Sequence, residues 1–70
     1  MNPPSSTAPV YLTTHQAAEI INLSVAWLER MRWAGGGPPY VKLSKAVRYP
    51  LDELNAWMRS RIRTSTTEEA

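Results

Sequence analysis

The stretch SVAWLERMRW, residues 24–33, decides the fold because it predicts one helix with clear limits. Ser24 stands where an N-cap belongs, since its hydroxyl can accept a hydrogen bond from a free backbone N–H. No Gly or Pro follows until the run GGGPP, residues 35–39, which ends any helix. Helical spacing predicts an apolar side that packs on a core, formed by Trp27, Leu28 and Met31.

The other side of this helix mixes charged and apolar groups. Its members are Val25, Ala26, Glu29, Arg30, Arg32 and Trp33. Such a mixture is unusual for a surface that meets only water, although an ordinary solvated face with two arginines is the simple alternative. The flanking segments must decide between a binding face and a solvated one.

Composition limits the classes of function. A chain of 70 residues forms one domain at most, and the absence of Cys excludes disulfides, thiolate nucleophiles and cysteine metal sites. The last residues, 64–70, contain Glu68 and Glu69 and no base, so the remainder carries 8 bases and 4 acids, a balance of +4. A small basic unit favours a polyanionic partner. No apolar run approaches the length of a membrane span, and no signal-peptide pattern is present, so we expect no membrane partner.

A second helix is predicted just upstream, over about residues 14–21. Thr13 and Gln16 match a capping box at its start. Spacing predicts a buried side that contains Ala17, Ile20 and Ile21, with Ala18 at its edge.

The break between the two helices falls at Asn22 and Leu23. Asn tolerates a left-handed turn conformation, and Leu23 could fill the corner between the helices. Two capped helices joined in this way form a helix-turn-helix, whose second helix enters a DNA major groove. Short helix pairs of this kind also occur in proteins that never contact DNA, so the motif alone leaves both readings open.

A β-hairpin is predicted after the Gly-Pro run, because apolar and polar residues alternate over 40–43 and 47–49. A loop of three residues, 44–46, would place four apolar side chains on one face, namely Val41, Leu43, Val47 and Tyr49. Lys42 and Arg48 would then face solvent together, with Lys45 at the tip. Such a hairpin is a basic wing that can lie along phosphates, or else a solvated hairpin whose charges only protect its edges.

Pro50 opens a third predicted helix, over about residues 51–62. Asp52 and Glu53 in its first turn and arginines at its end are arranged as the helix dipole favours. Its apolar stripe is expected in the core and consists of Leu51, Leu54, Trp57, Met58 and Ile62.

The whole chain is expected to divide into a disordered leader at 1–9, a domain at 10–63 and a polar acidic tail at 64–70.

An ordered set of short motifs runs through most of the chain. These motifs are Leu12-Thr13 with Ala17-Ala18, Ser24 with Leu28-Glu29-Arg30, Gly35-x-Gly37-Pro38-Pro39-Tyr40-Val41-Lys42-Leu43, Val47-Arg48-Tyr49, and Leu54-Asn55-Ala56-Trp57-Met58. With them the sequence resembles the small winged helix-turn-helix proteins of the excisionase and AlpA-like type, related in fold to the DNA-binding domain of MerR regulators. The resemblance implies a mainly α fold of three helices and a two-stranded wing.

The resemblance also implies binding to double-stranded DNA, with the second helix in the major groove and the wing in the adjacent minor groove or along the backbone. Members include recombination directionality factors, which bend attachment-site DNA and help an integrase excise a mobile element, and phage- or plasmid-type transcription regulators. The residues expected at the DNA are Ser24, Val25, Ala26, Glu29, Arg30, Arg32 and Trp33 of the recognition helix, Lys42, Ser44, Lys45 and Arg48 of the wing, and Thr13, Thr14 and His15 at the start of the first helix.

Three positions depart from the family pattern. Val25 and Ala26 stand where members often carry polar or basic residues, Trp27 stands where a small residue is common, and Ser44 replaces the Gly on which the wing usually turns. Val25 and Ala26 could contact thymine methyl groups. Phosphate contacts and DNA shape are the other means of recognition open to this chain.

We expect no enzyme activity, cofactor or metal. His15, the only His, has no nucleophile beside it in the sequence, and the adjacent Asp52 and Glu53 point to different sides of their helix. Three functions remain: an excisionase, a transcription regulator, and a protein-binding adaptor that uses the side of Trp33. We expect a cytoplasmic, nucleoid-associated protein encoded by a bacterium or phage. It would be a monomer when free and would assemble cooperatively on DNA. Its expected partners are double-stranded DNA, an integrase and further copies of this protein.

Overall fold

The computed structural model describes residues 8–64, in which three helices pack around a small antiparallel sheet. The elements in chain order are β1 (Tyr11–Leu12), α1 (Thr14–Ile21), α2 (Val25–Ala34), β2 (Val41–Leu43), β3 (Ala46–Pro50) and α3 (Leu51–Arg59). This architecture confirms the predicted winged helix-turn-helix. The predicted leader and acidic tail lie mostly outside the described residues, at 1–7 and 65–70.

Local hydrogen bonds set the limits of α1. The capping box is confirmed, because the Thr13 hydroxyl accepts from the Gln16 N–H at 3.1 Å and the Gln16 side-chain oxygen accepts from the Thr13 N–H at 2.9 Å. Asn22 ends the helix in the left-handed conformation, with φ 60. Two predictions of burial are wrong, since Ile20 is 49% exposed and Leu23 is 47% exposed. The core instead receives Ala18, because both alanines let another element approach α1 closely.

The limits of α2 follow the same logic. The Ser24 hydroxyl accepts from the Trp27 N–H at 3.0 Å, and Gly35 ends the helix with φ 85. A side chain at Gly37 would have its Cβ 2.7 Å from the Cβ of Met31. The Gly-Pro run therefore passes directly over the end of α2, which only glycine permits.

The predicted division of α2 into two sides is partly wrong. Val25 packs against the core and Arg32 is half-buried, although both were expected on the outer side. The reason is spacing, because Val25 lies three residues before the fully buried Leu28, and Arg32 lies four residues after it. Both positions are neighbours of Leu28 on the helix surface, so they turn toward the core with it.

The sheet has the strand order β1-β3-β2, and the short strand β1 adds a third strand to the predicted two-stranded wing. Its residues pair with the end of β3, Leu12 opposite Tyr49. In the hairpin itself Leu43 pairs with Ala46, so the loop has two residues rather than the predicted three. Ser44 makes this tighter loop possible by taking a left-handed conformation with φ 57.

This register changes which side chains share a face of the wing. Residues that are directly opposite in an antiparallel pair point to the same side. Lys42 is paired with Val47, and Val41 with Arg48. The predicted face of four apolar residues is therefore wrong, and so is the joint outward face of Lys42 and Arg48.

The core lies between the helices and the inner face of the sheet. Its buried members are Leu12, Ala17, Ala18, Ile21, Leu28, Tyr49 and Leu54. The prediction for α3 is correct at Leu54 but wrong at its far end, since Met58 is 41% exposed and Ile62 is 64% exposed. The helix ends at Arg59, where its last turn has passed the core. At this end the Ser60 hydroxyl donates to the Trp57 carbonyl at 2.6 Å.

Candidate nucleic-acid interface

The outer side of α2 is a shallow exposed surface at the end of the helix-turn-helix. It is lined by Ala26, Glu29, Arg30 and Trp33. Trp33 is 93% exposed, so it lies outside the core, and the alternative in which it folds back under the Gly-Pro run is wrong. An indole this exposed presents most of its apolar surface to water, which is typical of a residue that contacts a binding partner.

A second feature lies where the end of α2 meets the wing, and we call it the helix–wing cleft. It has a volume of about 440 Å³ and is lined by Arg32, Trp33, Tyr40, Lys42, Lys45 and Val47. The observed register creates this cleft, because Lys42 shares the face of Val47 and so turns toward α2. Trp33 borders both the cleft and the outer side of α2, so the two surfaces are continuous.

Arg32 is the most constrained cation of this surface. Its Nη1 donates to the Tyr49 hydroxyl at 2.8 Å and lies 3.4 Å from the Thr14 hydroxyl. Its guanidinium carbon lies 5.8 Å from the centre of the Tyr40 ring, within the range of a cation–π contact. Arg32 therefore joins the recognition helix to α1, to β3 and to the segment that leads into the wing.

Tyr49 is the partner of Arg32 that the sequence did not predict. It was assigned to the core as an apolar group, and it is indeed 0% exposed. A buried tyrosine hydroxyl usually needs a hydrogen-bond partner, and Arg32 supplies it. The signal available in the sequence was a tyrosine, rather than a phenylalanine, at a core position next to a basic segment.

Arg48 is separated from the other predicted wing residues. It pairs with Val41 on the face of the sheet opposite to Lys42, and its Nη1 donates to the Val47 carbonyl at 2.9 Å. There it lines an apolar groove with Tyr11, Val41 and Leu43. The structure therefore groups Lys42 and Lys45 with α2 and leaves Arg48 on the other face.

The remaining predicted contacts divide into engaged and free side chains. Thr13 and Ser24 use their hydroxyls as helix caps, and Thr14 faces Arg32. His15 and Ser44 are exposed, at the start of α1 and in the wing turn. Of this group, only His15 and Ser44 have side chains that make no hydrogen bond or ion pair within residues 8–64.

The charges of this region favour an anionic partner. Arg30, Lys42 and Lys45 are exposed and make no ion pair or side-chain hydrogen bond within residues 8–64. Glu29 is the only acid that lines either surface. Unpaired cations with exposed aromatic groups between them form a surface suited to a polyanion.

The comparison with protein families agrees with this geometry. A family model described as "Helix-turn-helix domain" matches residues 11–62, from the first residue of β1 to just beyond α3. No curated protein matches the chain. Within residues 8–64, none of the helices has the length and apolar character needed to cross a membrane.

Proposed function

The chain belongs to the helix-turn-helix domain family, which supports DNA binding, and we propose that it acts as an excisionase. In this role it binds and bends attachment-site DNA so that a site-specific integrase can excise a mobile element. Its proposed partners are double-stranded DNA, the integrase and further copies of itself. The proposal includes no catalytic activity, cofactor or metal, and it places the protein in the bacterial cytoplasm at the nucleoid.

The observation that carries this proposal is the chemistry of the exposed side of α2. That side offers Ala26, Glu29, Arg30 and Trp33, and hence a single cation that could make a bidentate contact with a base. Ser24 and Arg32, the other polar groups predicted there, are engaged in the fold. The helix therefore has few groups for reading base edges.

Three of the eight cationic side chains line the helix–wing cleft instead, namely Arg32, Lys42 and Lys45. Cations placed there meet the phosphate backbone, which supplies affinity without direct sequence information. A protein with few base-reading groups and several phosphate-binding groups gains selectivity from DNA shape and deformability. This balance supports a DNA-bending role over the reading of one fixed operator.

A transcription regulator with the same fold is the second candidate. Arg30 supports it, because one arginine on a recognition helix can bind a guanine edge with two hydrogen bonds. The third candidate is a protein-binding adaptor in which the exposed Trp33 contacts another protein.

The test combines a bending assay with reconstituted excision. Gel shifts on circularly permuted fragments of the attachment site should show a position-dependent mobility, and added protein should stimulate excision by the integrase of the same element. Arg30→Ala should reduce both activities, whereas Arg59→Ala, an exposed arginine on α3, should leave both intact. Binding to one unbent site beside a promoter would favour the regulator, and no salt-sensitive DNA binding would leave the adaptor.

Assembly is a separate part of the proposal. Analytical ultracentrifugation should find a monomer in free solution, and gel shifts on DNA with several sites should show cooperative filling. One small domain covers a short site and discriminates poorly alone, which is why we expect neighbouring copies to assist one another on DNA. A stable free dimer, or independent filling of several sites, would contradict this expectation.

A further inference from the structure

We propose that the helix–wing cleft is a binding site for one backbone phosphate of the DNA, and that Tyr49 is a positioning residue that holds Arg32 ready for that phosphate. This inference rests on the proposed DNA binding. It assigns a specific anion to a specific cavity and gives a role to a core tyrosine.

Arg32 has N–H donors beyond the one that bonds Tyr49 and Thr14, and its positive charge is not paired with an acid within residues 8–64. A guanidinium carries five N–H donors in a fixed planar fork. Nη1 is used by the Tyr49 hydroxyl and Thr14, while the side chain as a whole borders the cleft. No carboxylate pairs with Arg32 within residues 8–64. The free part of the fork therefore retains the charge and the planar geometry that bind phosphate oxygens in pairs.

The partner that holds Arg32 is itself fully buried. Tyr49 is 0% exposed, lies in β3 opposite Leu12, and has its ring centre 6.0 Å from that of Tyr40. An arginine normally loses rotamer freedom when it binds an anion, and that loss weakens binding. Because the fold already restrains Arg32, this loss on binding should be smaller.

The opposite wall of the cleft supplies two more cations. Lys42 and Lys45 reach it from the wing, and neither has a side-chain partner within residues 8–64. The lining contains no Asp or Glu, and the volume of about 440 Å³ is ample for a phosphodiester group. Three cations that line one cleft without an acid favour an anion, and the anion that DNA presents to this fold is its backbone phosphate.

The experiment locates the phosphate chemically. The wild-type protein first selects a duplex from a random pool, and single phosphates of that duplex are then replaced by neutral methylphosphonates. Neutralising the phosphate in the cleft should weaken wild-type binding about tenfold, and the same replacement should cause a clearly smaller loss for Arg32→Ala, which keeps only the two lysine contacts. If every phosphate whose neutralisation weakens wild-type binding weakens Arg32→Ala by the same factor, no phosphate contacts Arg32 and the site is overturned.

Tyr49→Phe tests the positioning role, because it removes the hydroxyl and keeps the buried ring. Loss of one hydrogen bond should weaken DNA binding by about two- to tenfold, with an unchanged dependence on salt because no charge is lost. Combined with Arg32→Ala, Tyr49→Phe should cause no additional loss, a result that general destabilisation would not produce. Thermal melting of each variant should confirm folding at the temperature of the assay.

Tyr11→Phe is the matched control, since Tyr11 is exposed on the other face of the sheet and should bind DNA as the wild type does. Wild-type affinity in Tyr49→Phe, or additive losses in the double variant, would overturn the positioning role while DNA binding stands. Failure of the wild type to select any duplex would overturn the proposed function itself. The two failures are therefore distinguishable.

Discussion

Lys42 pairs directly with Val47 across the hairpin, and this register turns the lysine toward the recognition helix. Arg48, only one residue further along β3, points to the opposite face and donates to a backbone carbonyl. Two wing cations that the sequence grouped together are thus separated by the thickness of the sheet. The separation leads to a direct test of which face of the wing meets DNA.

Lys42→Ala should weaken binding to all DNA sequences about equally, because a phosphate contact carries no sequence information. With about four phosphate contacts, the slope of log K against log salt should be roughly −3.6, and loss of one contact should flatten it by about 0.9. Arg48→Ala is the matched variant and should leave this slope unchanged. Equal changes for both variants would show that both faces of the wing meet DNA.

The features that the sequence predicted well are those set by neighbouring residues. Thr13 with Gln16, and Ser24 with the Trp27 N–H, form their hydrogen bonds within three residues, so the starts of α1 and α2 are encoded locally. The same holds for the left-handed Asn22 between them. The helix-turn-helix could therefore be predicted from the sequence alone.

The wing register was predicted wrongly, because the four apolar residues of the hairpin were expected to share one face. Leu43 is 56% exposed and Val41 is 37% exposed, so the expectation fails at both positions. The chain instead forms a two-residue loop and places Ser44 in a left-handed conformation. That choice depends on how β3 packs against β1 and the helices, which no local pattern contains.

The place of Arg32 was missed for a related reason. Periodicity assigns a charged residue to the outside unless a buried partner is known, and the partner here is a hydroxyl at Tyr49 in a distant strand. The outer part of the candidate site was easier to predict. The exposed positions Arg30 and Trp33 lie where the helical spacing placed them.

Gly35→Ala should destabilise the fold by about 1–2 kcal/mol, because a left-handed conformation forces its Cβ close to the following carbonyl. Gly35 has φ 85, and a Cβ there would meet no atom within 4 Å apart from its own chain neighbours, so we expect backbone strain to be the main cost. Thermal or urea unfolding measures the change. A matched variant is Glu29→Ala, a substitution on the exposed side of the same helix that should change stability by less than about 0.5 kcal/mol. Equal stability of Gly35→Ala and the wild type would mean that the helix can end without a left-handed cap.

Leu28→Ala should cost about 2–5 kcal/mol, since Leu28 is 0% exposed and is one of the largest fully buried side chains. That loss approaches the whole stability of a small domain. Arg30→Ala, two residues along on the exposed side, should leave the melting temperature nearly unchanged and weaken DNA binding. The reverse ranking in thermal melts and gel shifts would show that α2 is rotated relative to the fold described above.

Trp33→Ala should separate binding from stability more sharply than any other substitution on this surface. With 93% of its surface exposed, Trp33 contributes little to the core, so the melting temperature should change by no more than a surface substitution allows. DNA binding should weaken about fivefold or more, because the indole borders both the outer side of α2 and the helix–wing cleft, and loss of such a contact residue costs about 1 kcal/mol or more. Trp27→Phe is the control: that residue is half-buried against Trp57, and its substitution should change stability more than affinity. If Trp33→Ala binds DNA as tightly as the wild type yet no longer supports excision by the integrase, the indole contacts a protein partner rather than DNA.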